Sequence, residues 1–454
     1  MNTFSDNTMN KFFSVSTLAI MFLVLFAILA VHKAVIFGVY VVLCIWALLG
    51  AKQAVQALSI NFIILLLNPA LYSLPGEISF MRWAILLIAG LRVLPIASVK
   101  SFRFLLALFM FFIMVSALAW GSSPQFNISF LKITVFTFCV SAVIVAFNSL
   151  EVKELNELKT WFISLTGAVV LVSLPTLLIP SVGYFRNGRG FQGILNHPQA
   201  FAVFLVPIAA YLFSLLLLKK NQKNIWTWGF GILTIALLFL TRARTATLAL
   251  VLSLALTYVV CFFRSRRAFF EWTPYRFTLA IAGLVIMVST LVVFSPQFAA
   301  SIKNFVYKGS VDNDSVGEAF YHSRGGSMAF QWKRFLQQPL TGNGFGIDVA
   351  HGNEKKPSTF FGIPVSASTE KGFLPVAFLE EVGLLGFIFF LPFLWMLVKE
   401  AITNSDIGFI AMFFSCLFVN IGEAVFFSPG QLGGYLWLLI GLTTAMGWKA
   451  ENEI

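Results

Sequence analysis

The chain has 454 residues, 59% of them hydrophobic and 11% charged, with 52 Phe and a mean hydropathy of +0.87. A soluble domain carries about 25% charged residues, so this composition excludes a soluble enzyme, a nucleic-acid binder and a disordered scaffold, and specifies a polytopic membrane protein. The net charge of +12 then reads as the Lys and Arg excess that membrane proteins hold on cytoplasmic loops, with no nucleic-acid partner expected.

A helix needs about 20 apolar residues to cross a bilayer. On that measure the sequence predicts an all-α architecture with candidate spans at 12–31, 34–50, 54–72, 79–97, 102–120, 130–148, 160–179, 198–218, 225–241, 244–263, 277–295, 372–398, 406–425 and 431–448. That is fourteen, within an expected range of twelve to fourteen. Lys11 precedes the first run and no small-residue cleavage site follows, so a retained helix is expected. Cys44, Cys139, Cys261 and Cys416 all lie in apolar stretches, at spacings that suit neither zinc nor a redox pair, and are expected to pack.

With the N-terminus in the cytoplasm, Lys52, Lys100, Arg103, Lys153, Lys159, Lys219, Lys220, Lys223, Arg264, Arg266, Arg267, Arg276, Lys399 and Lys449 fall inside. The short outer loops then keep only Lys33, Arg186, Arg189, Arg242 and Arg244. This is the positive-inside pattern, and an even helix count returns the C-terminus to the cytoplasm. Residues 296–371 form the one long hydrophilic stretch, expected outside, which divides the chain into a helical bundle (1–295), the loop (296–371) and closing helices (372–454). Within the loop, Met328, Trp332, Phe335 and Leu336 recur at helical spacing over 323–338, with Pro339 ending the run. A short amphipathic helix at the membrane surface is expected there. Residues 339–346 (PLTGNGFG) lack the strand-then-helix context of a nucleotide loop, so they predict a tight turn re-entering the protein.

Charges near membrane depth mark functional sites. Arg242 and Arg244, in LFLTRARTATLALVL, suit a diphosphate, because guanidinium pairs bidentately with phosphate oxygens; the alternative is snorkelling to lipid phosphates. Arg186 and Arg189 join them in YFRNGRGFQGILNHPQAFAVFL, as does Arg324 in the loop. Asn196 and His197 precede Pro198 at a helix start, where they read equally as caps or as part of an anion site. Glu380 and Glu381 lie inside an apolar span and must be paired or protonated, one of them with an arginine. Glu370 at the membrane edge, His351 and then His322 are candidate general bases; for Glu370 the alternative is a favourable charge at a helix N-terminus. No metal or nucleotide motif occurs, so no cofactor is expected.

The ordered set GRGFQGILNHPQAFA, LTRARTATLAL, HSRGGSMAFQWKRFLQQPLTGNGFG and EKGFLPVAFLEEVGLLG resembles the O-antigen ligase and O-antigen/exopolysaccharide polymerase superfamily over about residues 180–400. The resemblance implies a metal-independent bacterial inner-membrane glycosyltransferase. Such enzymes take a glycan from undecaprenyl diphosphate at the periplasmic face and join it to another glycan, with Arg244 and Arg324 matching family arginines. A polymerase uses a second lipid-linked repeat as acceptor, and a chain-length regulator protein is a candidate partner. Ligases carry His-Asn ahead of the Glu-x-Gly helix, whereas this chain reads Glu370, Lys371, Gly372, Phe373. That departure favours a polymerase, with Glu370 or His351 as base and Trp332 and Glu381 supporting. A ligase is the alternative, and a lipid-linked oligosaccharide flippase using Arg82, Arg92, Lys132 and Glu423 is the alternative of another class. Convergence of the arginines at one face would favour the enzyme.

Overall fold

The computed structural model describes residues 15–31, 35–72, 80–218, 225–264, 325–347, 358–360, 363–366, 371–404 and 406–452. Its helices are α1 (Val15–Val31), α2 (Val35–Leu48), α3 (Ala51–Leu65), α4 (Met81–Val93), α5 (Val99–Ser122), α6 (Phe126–Ser149), α7 (Val152–Ser173), α8 (Pro198–Leu218), α9 (Ile225–Leu240), α10 (Arg244–Arg264), α11 (Gly326–Gln337), α12 (Leu374–Ile402), α13 (Ile407–Phe418) and α14 (Leu432–Asn452). A small antiparallel hairpin, β1 (Ser358–Phe360) with β2 (Ile363–Ser366), is added in the long loop. The architecture is that of an all-α polytopic membrane protein. Thirteen of the fourteen expected spans coincide with a helix, and the 277–295 span lies outside the described residues.

Among the described residues six helices are long and apolar enough to cross a membrane, and further apolar helices are shorter. α8 is central: 89% of its apolar window is buried, against 22% for α5. It packs on α9, α10 and α13. α5 instead turns Phe102, Leu106, Phe109 and Ile113 outward, which is favourable only where lipid replaces water. The four cysteines are unpaired, and Cys139, Cys261 and Cys416 are buried.

The helix ends gather into two faces. At one, connections are short and cations close helix C-termini, where carbonyls lack partners and the dipole is negative. Arg92 Nε donates to Leu48 O at the end of α2 (3.0 Å), Arg264 to Ile402 O at the end of α12 (3.0 Å), and Lys449 to Leu150 O just past α6. Lys100 lies over Trp448 at 3.4 Å. We call this the closed end.

At the opposite, loop end, three helices stop before the hydropathy does. α3 was expected to reach residue 72 and ends at Leu65, ahead of Asn68 and Pro69. α7 tightens at Leu174–Leu178, where Pro175 cannot donate to the α ladder. α13 gives way to a 3-10 turn at Val419–Ile421 rather than running to 425. The irregular segments that follow these three ends build the site.

Candidate functional site

Irregular backbone must find partners inside the protein, and three buried amides supply them at the loop end. Asn68 donates from Nδ2 to Val182 O (2.7 Å) and Gly193 O (3.1 Å), while its Oδ1 accepts from Ala70 N (3.0 Å). Gln192 accepts from Arg186 N at 2.8 Å and donates to Leu195 O at 3.0 Å. Asn420 accepts from Val425 N and Phe426 N and donates to Cys416 O. Backbone bonds Asn68 N to Ile194 O (2.8 Å) and Asn196 N to Leu66 O (2.7 Å) join the exit of α3 to the 190–196 segment.

That segment carries the arginines. Phe191 N donates to Leu240 O at 2.9 Å. Gly190 packs so closely that a Cβ there would sit 2.6 Å from Thr241 O and 2.9 Å from Pro198. Gly190 thus joins the N-terminus of α8 to the turn between α9 and α10, and sets Arg189 beside that turn, which holds Arg242. Asn187 Oδ1 accepts from Arg189 N (3.1 Å) and Gly190 N (2.9 Å). Arg186, Arg189 and Arg242 are exposed, and Arg244, the first residue of α10, is half-buried. No acidic residue occurs between Glu157 and Glu271, and among the described residues no carboxylate pairs with Arg186, Arg189 or Arg242. Arg242 is the one described non-glycine residue with positive φ, at 56°, a strained conformation of the kind found at functional sites.

His197, not Asn196, caps α8. Its Nδ1 accepts from Gln199 N at 3.1 Å, so in the neutral ring the proton sits on Nε2. Asn196, expected as a cap, instead serves through its backbone contact with Leu66.

The second part of the loop end is a buried ion cluster. Glu380 pairs with Arg334 Nε (2.8 Å) and Lys371 Nζ (2.6 Å), and Lys371 also meets Glu381 (2.9 Å). The cluster surrounds a break in α12 at Gly383, whose φ of 64° and ψ of −176° are a glycine conformation. Residues 339–346 fill that break, as the re-entrant turn expected from the sequence. Asn343 N and Gly344 N donate to Glu380 O and Glu381 O, while Leu384 N and Leu385 N donate to Pro339 O and Leu340 O. Glu381 Oε2 accepts from Gly346 N (2.8 Å), Ser129 Oγ from Phe345 N (2.8 Å), and Lys132 Nζ donates to Gly346 O. Phe345 then packs against Phe111, Phe136 and Phe427. A Cβ on Gly342 would stand 2.4 Å from Glu381 O.

Gln331 Nε2 bonds Lys371 O at 2.8 Å, tying α11 to the start of α12. On α11, Phe335 is buried, but Trp332 and Leu336 are 46% and 59% exposed, so only one stripe of the expected amphipathic face packs on protein. Glu370, His351 and Arg324, together with His322, lie outside the described residues. Lys371, Arg334, Asn68, Gln192 and Asn420 were not singled out from the sequence, although for the three amides a lone polar group in an apolar run was the available signal. Among the described residues no three metal-ligating side chains cluster.

Four outcomes follow from this geometry. Glu380→Ala leaves Arg334 short of a partner and Lys371 with Glu381 alone, and is expected to cost about 3–5 kcal/mol, read as a lower Tm in detergent. Gly383→Ala is expected to cost about 3 kcal/mol through φ and backbone contact alone. Arg242→Gly relieves strain of about 1 kcal/mol, and so is expected to hold or raise Tm while weakening anion binding. Burial opposes the charge on Lys371, but the carboxylates of Glu381 and Glu380 outweigh it and raise the ammonium's pKa above 10.5. The stabilisation from Lys371 is therefore complete below the ordinary lysine pKa and lost as pH rises through the raised value. A pH series should show a Lys371-dependent loss of Tm only in that alkaline range.

Compared with models of known protein families and with characterised proteins, the chain matches none.

Proposed function

We propose that the protein is a glycosyltransferase that uses a polyprenyl-diphosphate-linked sugar donor and polymerises lipid-linked oligosaccharide repeats into O-antigen or exopolysaccharide. The observation that carries this reading is the ridge of Arg186, Arg189, Arg242 and Arg244 around two helix N-termini, with exposed guanidiniums at Arg186, Arg189 and Arg242. Arginine forks and helix N-termini are both suited to phosphate oxygens. The family resemblance of the same segments supplies the reaction class.

In the proposed reaction the bond between sugar C1 and the diphosphate oxygen breaks, and its electron pair leaves with undecaprenyl diphosphate. An acceptor hydroxyl oxygen bonds to C1, and its proton passes to a base, for which Glu370 and His351 are the candidates. Negative charge grows on the leaving diphosphate, so the arginine ridge stabilises the transition state more than the ground state. Tethering both substrates to one membrane adds proximity. The loop end is the periplasmic face in this reading, the closed end and both termini are cytoplasmic, and the membrane is the bacterial inner membrane.

A transport reading draws less support. Of the charges it would use, Arg92 is bonded to Leu48 O at the closed end and Lys132 to Gly346 O at the loop end, so they do not converge on one central path. A ligase remains the alternative within the class.

The test is the glycan size profile of cells lacking the protein, complemented with wild type, Arg244→Ala or Arg324→Ala at equal membrane levels. Wild type is expected to restore long chains, and loss of Arg244 to lower polymer formation about 100-fold, leaving single lipid-linked repeats. Polymer made but not joined to lipid A would identify a ligase instead. Repeats accumulating on the cytoplasmic face would identify a lipid transporter and overturn the enzyme reading.

A further inference from the structure

Among the described residues, three polar groups at the loop end have no hydrogen-bond partner. Tyr40 of α2 is fully buried and Tyr72, past the end of α3, is 5% exposed, yet neither hydroxyl has a hydrogen-bond partner, nor has buried Nε of Arg82 near the start of α4. Tyr40 lies within electrostatic reach of both Tyr72 and Arg82, and α2, α3 and α4, which carry or precede the three groups, pack on one another. The Arg82 guanidinium carbon lies 5.3 Å from the ring centroid of Trp83, and Trp83 in turn lies beside Gly430 of the loop that follows α13.

A guanidinium can only donate, and each phenol carries an O–H donor beside its acceptor oxygen. Three buried groups that each hold an unused donor are satisfied together by an anion with several oxygens. The outer faces of the same helices carry Phe37, Val42 and Ile45 on α2 and Leu87 and Leu91 on α4, all exposed. An anion held by Arg82 could therefore continue into an apolar chain lying along α2 and α4 in lipid.

We propose that Arg82, Tyr40 and Tyr72 form a second anion site, distinct from the arginine ridge, which binds the phosphate head of a long-chain lipid whose tail runs along α2 and α4. The head is either a polyprenyl diphosphate or a membrane phospholipid phosphate, since both present the same oxygens. Taken with the polymerase reading, on which this last step alone rests, the site holds the second, acceptor-bearing lipid while the ridge holds the donor.

The test is binding, not turnover. Purified full-length protein in detergent is titrated with undecaprenyl diphosphate and separately with phosphatidylglycerol, and lipids bound per chain are counted by native mass spectrometry. Arg82→Gln and the double variant Tyr40→Phe/Tyr72→Phe are each expected to weaken one binding event about tenfold or more. The double variant removes only unpartnered hydroxyls, so it is expected to fold at least as well as wild type and keeps the test valid if Arg82→Gln misfolds. Arg242→Gly reports on the ridge event, so the two sites succeed or fail separately. If phosphatidylglycerol competes for the Arg82-dependent event, the ligand is a membrane phospholipid; if it does not, the site selects polyprenyl diphosphate. Unchanged stoichiometry and affinity in both the Arg82 and the double tyrosine variant would overturn the proposal.

Discussion

A helix interrupted within a membrane protein leaves carbonyls before the break and N–H groups after it that lipid cannot satisfy. In α12 the interruption falls at Gly383, and the 339–346 segment satisfies both sides: its N–H groups take the carbonyls of Glu380 and Glu381, and its carbonyls take the N–H groups of Leu384 and Leu385. Much of the loop end depends on this insertion. It demands glycine at 342 and 383, where backbones meet at distances no Cβ tolerates. It carries Phe345 into the ring cluster against α5 and α6. It also sets the carboxylates of Glu380 and Glu381 where Arg334 and Lys371 must neutralise them.

Two groups of cations at the loop end therefore differ in their physics. Arg334 and Lys371 are buried against two carboxylates, and the four charges sum to zero; each partner's removal strands another, which makes the cluster a structural clasp. Arg186, Arg189 and Arg242 are exposed and have no described carboxylate partner. An unneutralised positive surface at the edge of a low-dielectric bundle attracts anions strongly. The distinction between clasp and ridge lies in this neutralisation rather than in the number of arginines.

The bundle was legible in the sequence because twenty-residue apolar runs have few alternatives, and the 323–338 helix because its spacing and Pro339 mark it. The arginine ridge was legible for a related reason: Arg242 and Arg244 are conspicuous in a segment otherwise apolar. What could not be read was how helices stop. Hydropathy continues through Leu66–Tyr72 and 419–425, and only tertiary pairing with the 182–196 segment or by Asn420 makes the irregular backbone cheaper than the helix it replaces. One of Glu380 and Glu381 was expected to pair with an arginine, yet nothing local distinguishes Arg334, forty-six positions from Glu380, from Arg324. Lys371 was passed over for its neighbour Glu370 because a carboxylate suggests a base, whereas the buried ammonium is the residue that holds the start of α12 in place.

The two features least visible in sequence act together on the ridge. Gln192 and Asn187 fix the backbone N–H groups of Arg186 and Arg189, and the contact of Gly190 with Thr241 and Pro198 fixes that backbone against the N-terminus of α8 and the turn between α9 and α10. Arg242 is held in a left-handed turn that its own side chain does not favour, so the surroundings impose its position. The protein's own contacts thus fix the backbone a bound diphosphate would require, which leaves side-chain rotamers as the main ordering cost of binding. A charge array prepared in this way suits a reaction whose main demand is stabilising a leaving anion, because electrostatic catalysis gains most where the dipoles need not reorganise as charge develops.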